Sequence, residues 1–244
     1  MLANEDADDN DNIDYSESIK AIFYQYDCET ILSQPRPIHS PSTWMRLRQA
    51  YVDVVTVEES SIPTPVSSDN GFAVPFYISQ TEYAGRGVFA KEDIAKNTLI
   101  WEGDSYDAFT AYMNSAEDYI AFLHGVGRID GDDGDRGLVC DCLIWCYPEQ
   151  VDGEPATISC DLDEGSLFNE GNNAEEKNMY SNDGSVYARR DIKAGEEFLT
   201  WYADFTPEGL WALFGLTNVW LDENGPNFEF DAEDYGEDDD DDDD

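Results

Sequence analysis

Two stretches early in the chain carry apolar residues at helical spacing. In SESIKAIFYQYDCETILS (16–33) and TWMRLRQAYVDVVTVE (43–58), apolar positions such as Trp44, Leu47, Tyr51 and Val54 recur at intervals of three and four. That period places them along one side of a helix. An N-terminal helical extension packed on a core is therefore expected. The next segment, SSIPTPVSSDNG, is rich in Ser, Pro, Asp and Gly and reads as a linker or surface loop. Beyond Phe72 the texture changes to short β-branched or aromatic runs cut by Gly and polar turns: FAVPFYIS, GVFA, NTLIWEG, LVCDCLIWCY and ATISC. These are strand signals. Residues 107–124 (DAFTAYMNSAEDYIAFLH) instead predict a helix, with Phe109, Tyr112, Met113, Ile120 and Leu123 partly sharing a face. No repeat of solenoid or propeller length is present. The expected fold class is mainly β (β+α), with a helical insert and a helical N-terminal extension.

Charge changes the picture at the ends. Residues 1–14 are almost wholly Asp, Asn, Glu and Ala, and the chain closes on a run of Asp, so both ends (1–14 and 222–244) are expected to be disordered by self-repulsion. With 13 Lys and Arg against 55 Asp and Glu, the formal charge is -42. Such a surface repels phosphate, which argues against direct nucleic-acid binding, and it attracts basic proteins such as histones or Lys-rich tails. Acidic residues that only keep the protein soluble are the plainer reading of the charge. The hydrophobic share of 41% is ample for one packed core.

No 18-residue apolar run is present, so no membrane span is expected, and the opening MLANEDADDN lacks the pattern of a secretory signal. Five scattered Cys do not form the spacing of a small secreted disulfide scaffold, so a reducing, intracellular setting, nucleus or cytosol, is expected.

Candidate chemistry begins at YAGRGVFAKEDIAKNTLIWEG, where Gly85 and Gly87 flank Arg86 between two strands. Glycines permit positive φ and close approach of the backbone to a ligand, although an ordinary turn would use them too, and the Rossmann fingerprint is not met. Some eighty residues later come ISCDLDEGSLFNEGNNAEE and SVYARRDIKAGEEFLTWYADF. The ordered set G-R-G-V-F-A-x-x-D-I, then D-L-D-E-G-x-x-F-N, then A-R-R-D-I-x-A-G-E-E-x-x-x-x-Y resembles a SET domain. The resemblance spans about 72–221, with 15–71 as extension and linker, and is strongest near 83–103 and 161–205.

That resemblance implies a fold of small β-sheets with a knot-like crossing, and the activity of an S-adenosylmethionine-dependent protein-lysine methyltransferase. It implies that Gly85, Arg86 and Gly87 line the S-adenosylmethionine site, that Asn169 holds the methionine moiety, and that Tyr202 faces the reacting methyl as the catalytic residue. Families of this kind usually read Asn-His-Ser, whereas this chain reads Asn169, Glu170, Gly171, and the following Pro-Asn is replaced by Ala174 and Glu175. Glu170 therefore takes a cofactor-side position normally held by His. The alternative is a catalytically degenerate SET module that binds basic proteins through its acidic surface and tail.

Other features have plainer readings. Cys140, Cys142 and Cys146 precede Tyr202 inside an apolar run, where core packing is favoured over metal ligation. Asp130, Asp132, Asp133 and Asp135 fail the calcium-loop pattern at Gly134 and read as a solvated turn. His39 and His124 lack a nucleophile motif and are expected to be structural or on the surface. No metal is expected. In DFTPEGLWALFGLTNVW, a helix starting near Pro207 and Glu208 is expected, with Trp211 and Phe214 either packing on the core or lining a substrate lysine channel.

Overall fold

Helix formation begins where the sequence supplies caps. In the computed structural model, which describes residues 14–81, 85–102, 109–129, 137–150, 155–182, 184–204, 209–216, 220–222 and 225–227, three N-terminal helices precede the first strand: α1 (Ser16–Gln25), α2 (Cys28–Leu32) and α3 (Pro41–Val55). Ser40 caps α3 by accepting the Thr43 N–H at 3.3 Å, and Pro41 occupies the first helical position, where its missing N–H costs nothing. Ile19, Ile22 and Phe23 of α1 and Trp44, Leu47, Tyr51 and Val55 of α3 belong to the same buried cluster as the strands that follow.

The strands and remaining helices are β1 (Phe76–Gln80), β2 (Arg86–Ala90), β3 (Leu99–Glu102), β4 (Thr110–Met113), α4 (Ala116–Val126), α5 (Leu138–Trp145), β5 (Tyr147–Glu149), β6 (Thr157–Asp161), β7 (Asn169–Glu170), β8 (Met179–Asn182), β9 (Ser185–Ala188), β10 (Leu199–Thr200), β11 (Trp220–Asp222) and β12 (Gly225–Asn227). They form small sheets in the orders β1-β2, β3-β9-β8, β4-β6-β5, β10-β7 and β11-β12. All pair antiparallel except β7 and β10, which run parallel with Leu199 beside Asn169 and Thr200 beside Glu170. The segment that carries Asn169 and the segment that leads to Tyr202 thus lie side by side. The β-rich class with small sheets is the one observed.

Arg48 ties the extension to this core. Its guanidinium is buried and donates to Leu162 O at 2.9 Å, Ser67 O at 2.7 Å and Asp69 O at 3.0 Å, so the Ser- and Pro-rich loop is fastened at its end. There Asp163 accepts the N–H groups of Gly71 and Gly165 and of the Trp101 indole. A Cβ on Gly71 would meet Glu102 O at 2.5 Å, so this close approach requires glycine.

Two expectations from periodicity are corrected. The helix expected over 107–124 divides. Thr110–Met113 is strand β4, paired with β6, and α4 starts only at Ala116. Ser115 accepts the Asp118 N–H at 3.1 Å and donates to Asp118 Oδ2 at 2.8 Å, a reciprocal cap that sets the start. LVCDCLIWCY, expected as a strand, is mostly helix α5, seven of whose eight residues are buried. A short run that is apolar on every side cannot be assigned by periodicity, because a fully buried helix and a buried strand look alike.

Cys140 is also corrected: it is joined to Cys28 in a disulfide between α5 and α2, rather than packing as a free thiol. Cys142, Cys146 and Cys160 are free and buried. Among the described residues, no helix is long and apolar enough to cross a membrane. Of the ends expected to be disordered (1–14 and 222–244), Asp222 and Gly225–Asn227 instead lie in β11 and β12, while 1–13, 223–224 and 228–244, like Asp130 to Asp135, Pro207 and Glu208, lie outside the described residues.

Candidate functional site

The antiparallel β1-β2 hairpin presents the glycine pair at the start of β2, with Gln80 opposite Arg86 and Ser79 opposite Gly87. Gly85 has φ +71°, a left-handed conformation that favours glycine, and among the described residues beyond its chain neighbours no atom lies within 4 Å of the position a Cβ would take. This side of the turn is open. Gly87 is closed: a Cβ there would overlap the Glu197 carboxylate and come within 2.9 Å of Asn169 Nδ2.

Asn169, at the start of β7 and only 8% exposed, reaches the turn directly. Its Nδ2 donates to Arg86 O at 2.9 Å and to Glu197 Oε1 at 2.7 Å. Both amide hydrogens are thereby used, which leaves Oδ1 as an acceptor. The last residues before β10 are held by buried Asn178, which donates to Glu197 O at 2.7 Å and accepts the Leu199 N–H at 2.9 Å.

Tyr202 stands just after β10. Its backbone N–H donates to Glu170 Oε1 at 2.8 Å, and its hydroxyl donates to Phe168 O at 3.0 Å. The residue is 42% exposed, but its hydroxyl is directed back toward the β7 strand. Burial of that group, followed by the charges of Glu170 and Glu197, pushes the phenol up to about 12. Around neutral pH it stays protonated, so it can donate or accept hydrogen bonds but cannot act as a resident base. Glu170 is where the sequence departs most visibly from the family pattern, and its side chain makes the tie between β7 and the Tyr202 turn.

Gly85, Gly87, Asn169, Glu170 and Tyr202 therefore form one connected assembly. Arg86 belongs to it only through its backbone. Its side chain turns into a buried cluster on α5 and donates to Asp141 Oδ1 at 2.7 Å. Trp211 and Phe214 lie on a 3₁₀ turn spanning Leu210–Phe214. Trp211 packs against the Tyr119 ring at 6.0 Å between centroids, and Phe214 is buried in the hydrophobic core. Packing is thus the role seen for both.

Three residues of the arrangement were not singled out by sequence reasoning: Glu197, Asn178 and Asp141. Asp141 carried a usable signal, being the lone charged residue in the otherwise apolar run LVCDCLIWC; such a residue, once buried, needs a charged partner. Glu197 stands in the A-G-E-E stretch that carries the resemblance, which gives it no role of its own, and Asn178 carried no signal. His39 is structural, its ring enclosed beside Asp141.

The residues fit a cationic methyl donor on two grounds. Among the described residues the Gly85 position is open, and the groups of the assembly, Glu197 and the Asn169 carbonyl beside Gly87 and Glu170 at the Tyr202 turn, are anionic or acceptors, suited to an ammonium and a sulfonium. No curated protein matches the chain. A family model, the SET domain, matches residues 85–203, a span that begins at the open glycine and ends just past Tyr202, and the chain belongs to the SET-domain family.

Proposed function

We propose that this chain is an S-adenosylmethionine-dependent protein-lysine N-methyltransferase. SET domains in general are lysine methyltransferases that use this cofactor and act on proteins. The observation that carries the reading is the direct hydrogen bonding of Asn169 to the Gly85–Gly87 turn, in an assembly that also holds Tyr202. When bound, the cofactor supplies an electrophilic methyl on a sulfonium. In this reading Gly85 and Gly87 offer their backbone, Asn169 Oδ1 accepts from the ammonium, and the carboxylates of Glu197 and Glu170 favour the positive charge.

Tyr202 orients the lysine amine. Its one hydroxyl hydrogen is donated to Phe168 O, so toward the amine the hydroxyl oxygen acts as an acceptor, taking an amine N–H and thereby aiming the nitrogen lone pair. With the phenol pushed up to about 12, the amine's own proton must leave to solvent or another group.

The proposed substrate is a basic, Lys-rich protein such as a histone, supported by the formal charge of -42. The same charge supports the second reading, a non-methylating module that captures basic proteins. Incubation with tritiated cofactor and a basic protein fraction tests the first: label on protein lysine is expected. Tight cofactor binding without any label would favour the second.

A further inference from the structure

Arg86 is held at both ends by different parts of the chain. Its carbonyl accepts from Asn169, while its guanidinium enters a closed cluster around Asp141 of α5, which is 0% exposed. Asp141 Oδ1 accepts from Arg86 Nη2 at 2.7 Å and from Arg36 Nε at 3.1 Å. Oδ2 accepts from Arg36 Nη2 at 3.1 Å and lies 2.8 Å from His39 Nε2. Arg86 Nη1 also donates to Pro37 O at 2.8 Å, and the guanidinium lies over the Trp145 ring at 5.2 Å. Burial alone would push the Asp141 carboxyl up, but the His39 hydrogen bond and the charges of Arg86 and Arg36 outweigh it and hold the group below the usual carboxylate range.

The two glycines of the turn have no side chains with which to fix it, and the Gly85 side is open. The only side chain in the G-R-G triplet is therefore its anchor, and the anchor point is a buried carboxylate that needs its cationic partners. Pro37 and His39, which also meet the Arg86 guanidinium, lie outside the matched span of 85–203.

We propose that the Asp141–Arg86 pair, with Pro37 and His39 of the N-terminal extension against the Arg86 guanidinium, positions the Gly85–Gly87 turn for the methyl donor. This rests on the methyltransferase reading. Asp141 is a positioning residue: it acts through Arg86.

The test uses the full chain and three variants, with S-adenosylmethionine affinity by calorimetry, turnover at saturating cofactor, melting temperature, and amide exchange over residues 79–90 without cofactor. Arg86→Lys keeps the charge but loses the fork, and Asp141 retains Arg36 and His39, so this variant should fold even if Asp141→Asn does not. Both should weaken cofactor binding by about tenfold or more, the scale seen when an indirect support of a binding group is removed. Turnover at saturation should stay within about threefold, and exchange at the turn should quicken. Arg36→Gln, which leaves the Arg86–Asp141 pair in place, should lower the melting temperature without moving either readout. Equal affinity in Arg86→Lys and the unaltered chain, or affinity that merely follows melting temperature across all variants, would overturn the proposal. If the unaltered chain binds no cofactor, the methyltransferase reading falls, and exchange alone decides: faster at the turn in Arg86→Lys than in Arg36→Gln supports the positioning role, equal rates refute it.

Discussion

The Glu170 carboxylate accepts the backbone N–H of Tyr202 at 2.8 Å, joining two segments 32 residues apart. The family pattern usually places a His at this position, and here a carboxylate ties β7 to the Tyr202 turn. Glu170→Ala should leave that N–H without its partner and lower stability by about 1 kcal/mol, whereas Glu170→Gln, which keeps an acceptor oxygen, should cost less. Urea unfolding of the two variants compares them. Equal losses would mean that the oxygen contributes nothing.

Tyr202→Phe removes one oxygen and keeps the ring. The hydroxyl's bond to Phe168 O disappears, at a cost of about 1 kcal/mol, and cofactor affinity should hold. Turnover per folded molecule should fall by about 10²-fold, the scale of a single orienting group. Unchanged methyl incorporation at matched folded concentration would remove Tyr202 from the catalytic role.

Asp161 gives the protein a pH dependence of defined sign. Burial, with the charges of Asp163 and Glu149, raises its carboxyl to about 7 against a lowering by the Thr110 hydroxyl, which donates to Oδ1 at 2.7 Å. A carboxyl whose folded pKa lies above the unfolded one binds its proton more tightly when folded. Its contribution is therefore fully present below about pH 4 and is lost as pH rises through about 7. Asp161→Asn retains an acceptor for Thr110 and should flatten this decline, gaining on the order of 4 kcal/mol relative to the unaltered chain at pH 8 compared with pH 4. Denaturation midpoints across pH 4–8 measure it. Parallel curves for the two proteins would refute the assignment.

The cysteines divide into two classes. Peptide mapping without reduction should recover Cys28 linked to Cys140. Cys142, Cys146 and Cys160 are buried, and burial comes first among the causes that raise their thiols. They should resist alkylation until the chain unfolds. Rapid labelling of Cys142 in the folded protein would contradict the packing of α5.

Legibility followed the range of the interactions. The glycine pair, Asn169 and Tyr202 were offered by the resemblance in a fixed order, and the fold brings them into one assembly. The N-terminal helices were readable from period, since each presents one apolar face. α5 was not, because it is buried nearly all round and its run carries no alternation. A Ser-x-x-Asp cap marks the division at Ser115, while the apolar positions on either side continue across it at near-helical spacing. The destination of the Arg86 side chain depends on Asp141, 55 residues away, and on residues before the linker. No local pattern encodes contacts of that range.

The account stands most directly on cofactor binding, because the turn at Gly85, the Asn169 amide and the surrounding carboxylates have a shared purpose only if a cationic methyl donor sits among them. Calorimetry of the full chain with S-adenosylmethionine should show a one-to-one complex of micromolar or tighter affinity, about -8 kcal/mol. No heat and no thermal shift at millimolar cofactor would contradict it.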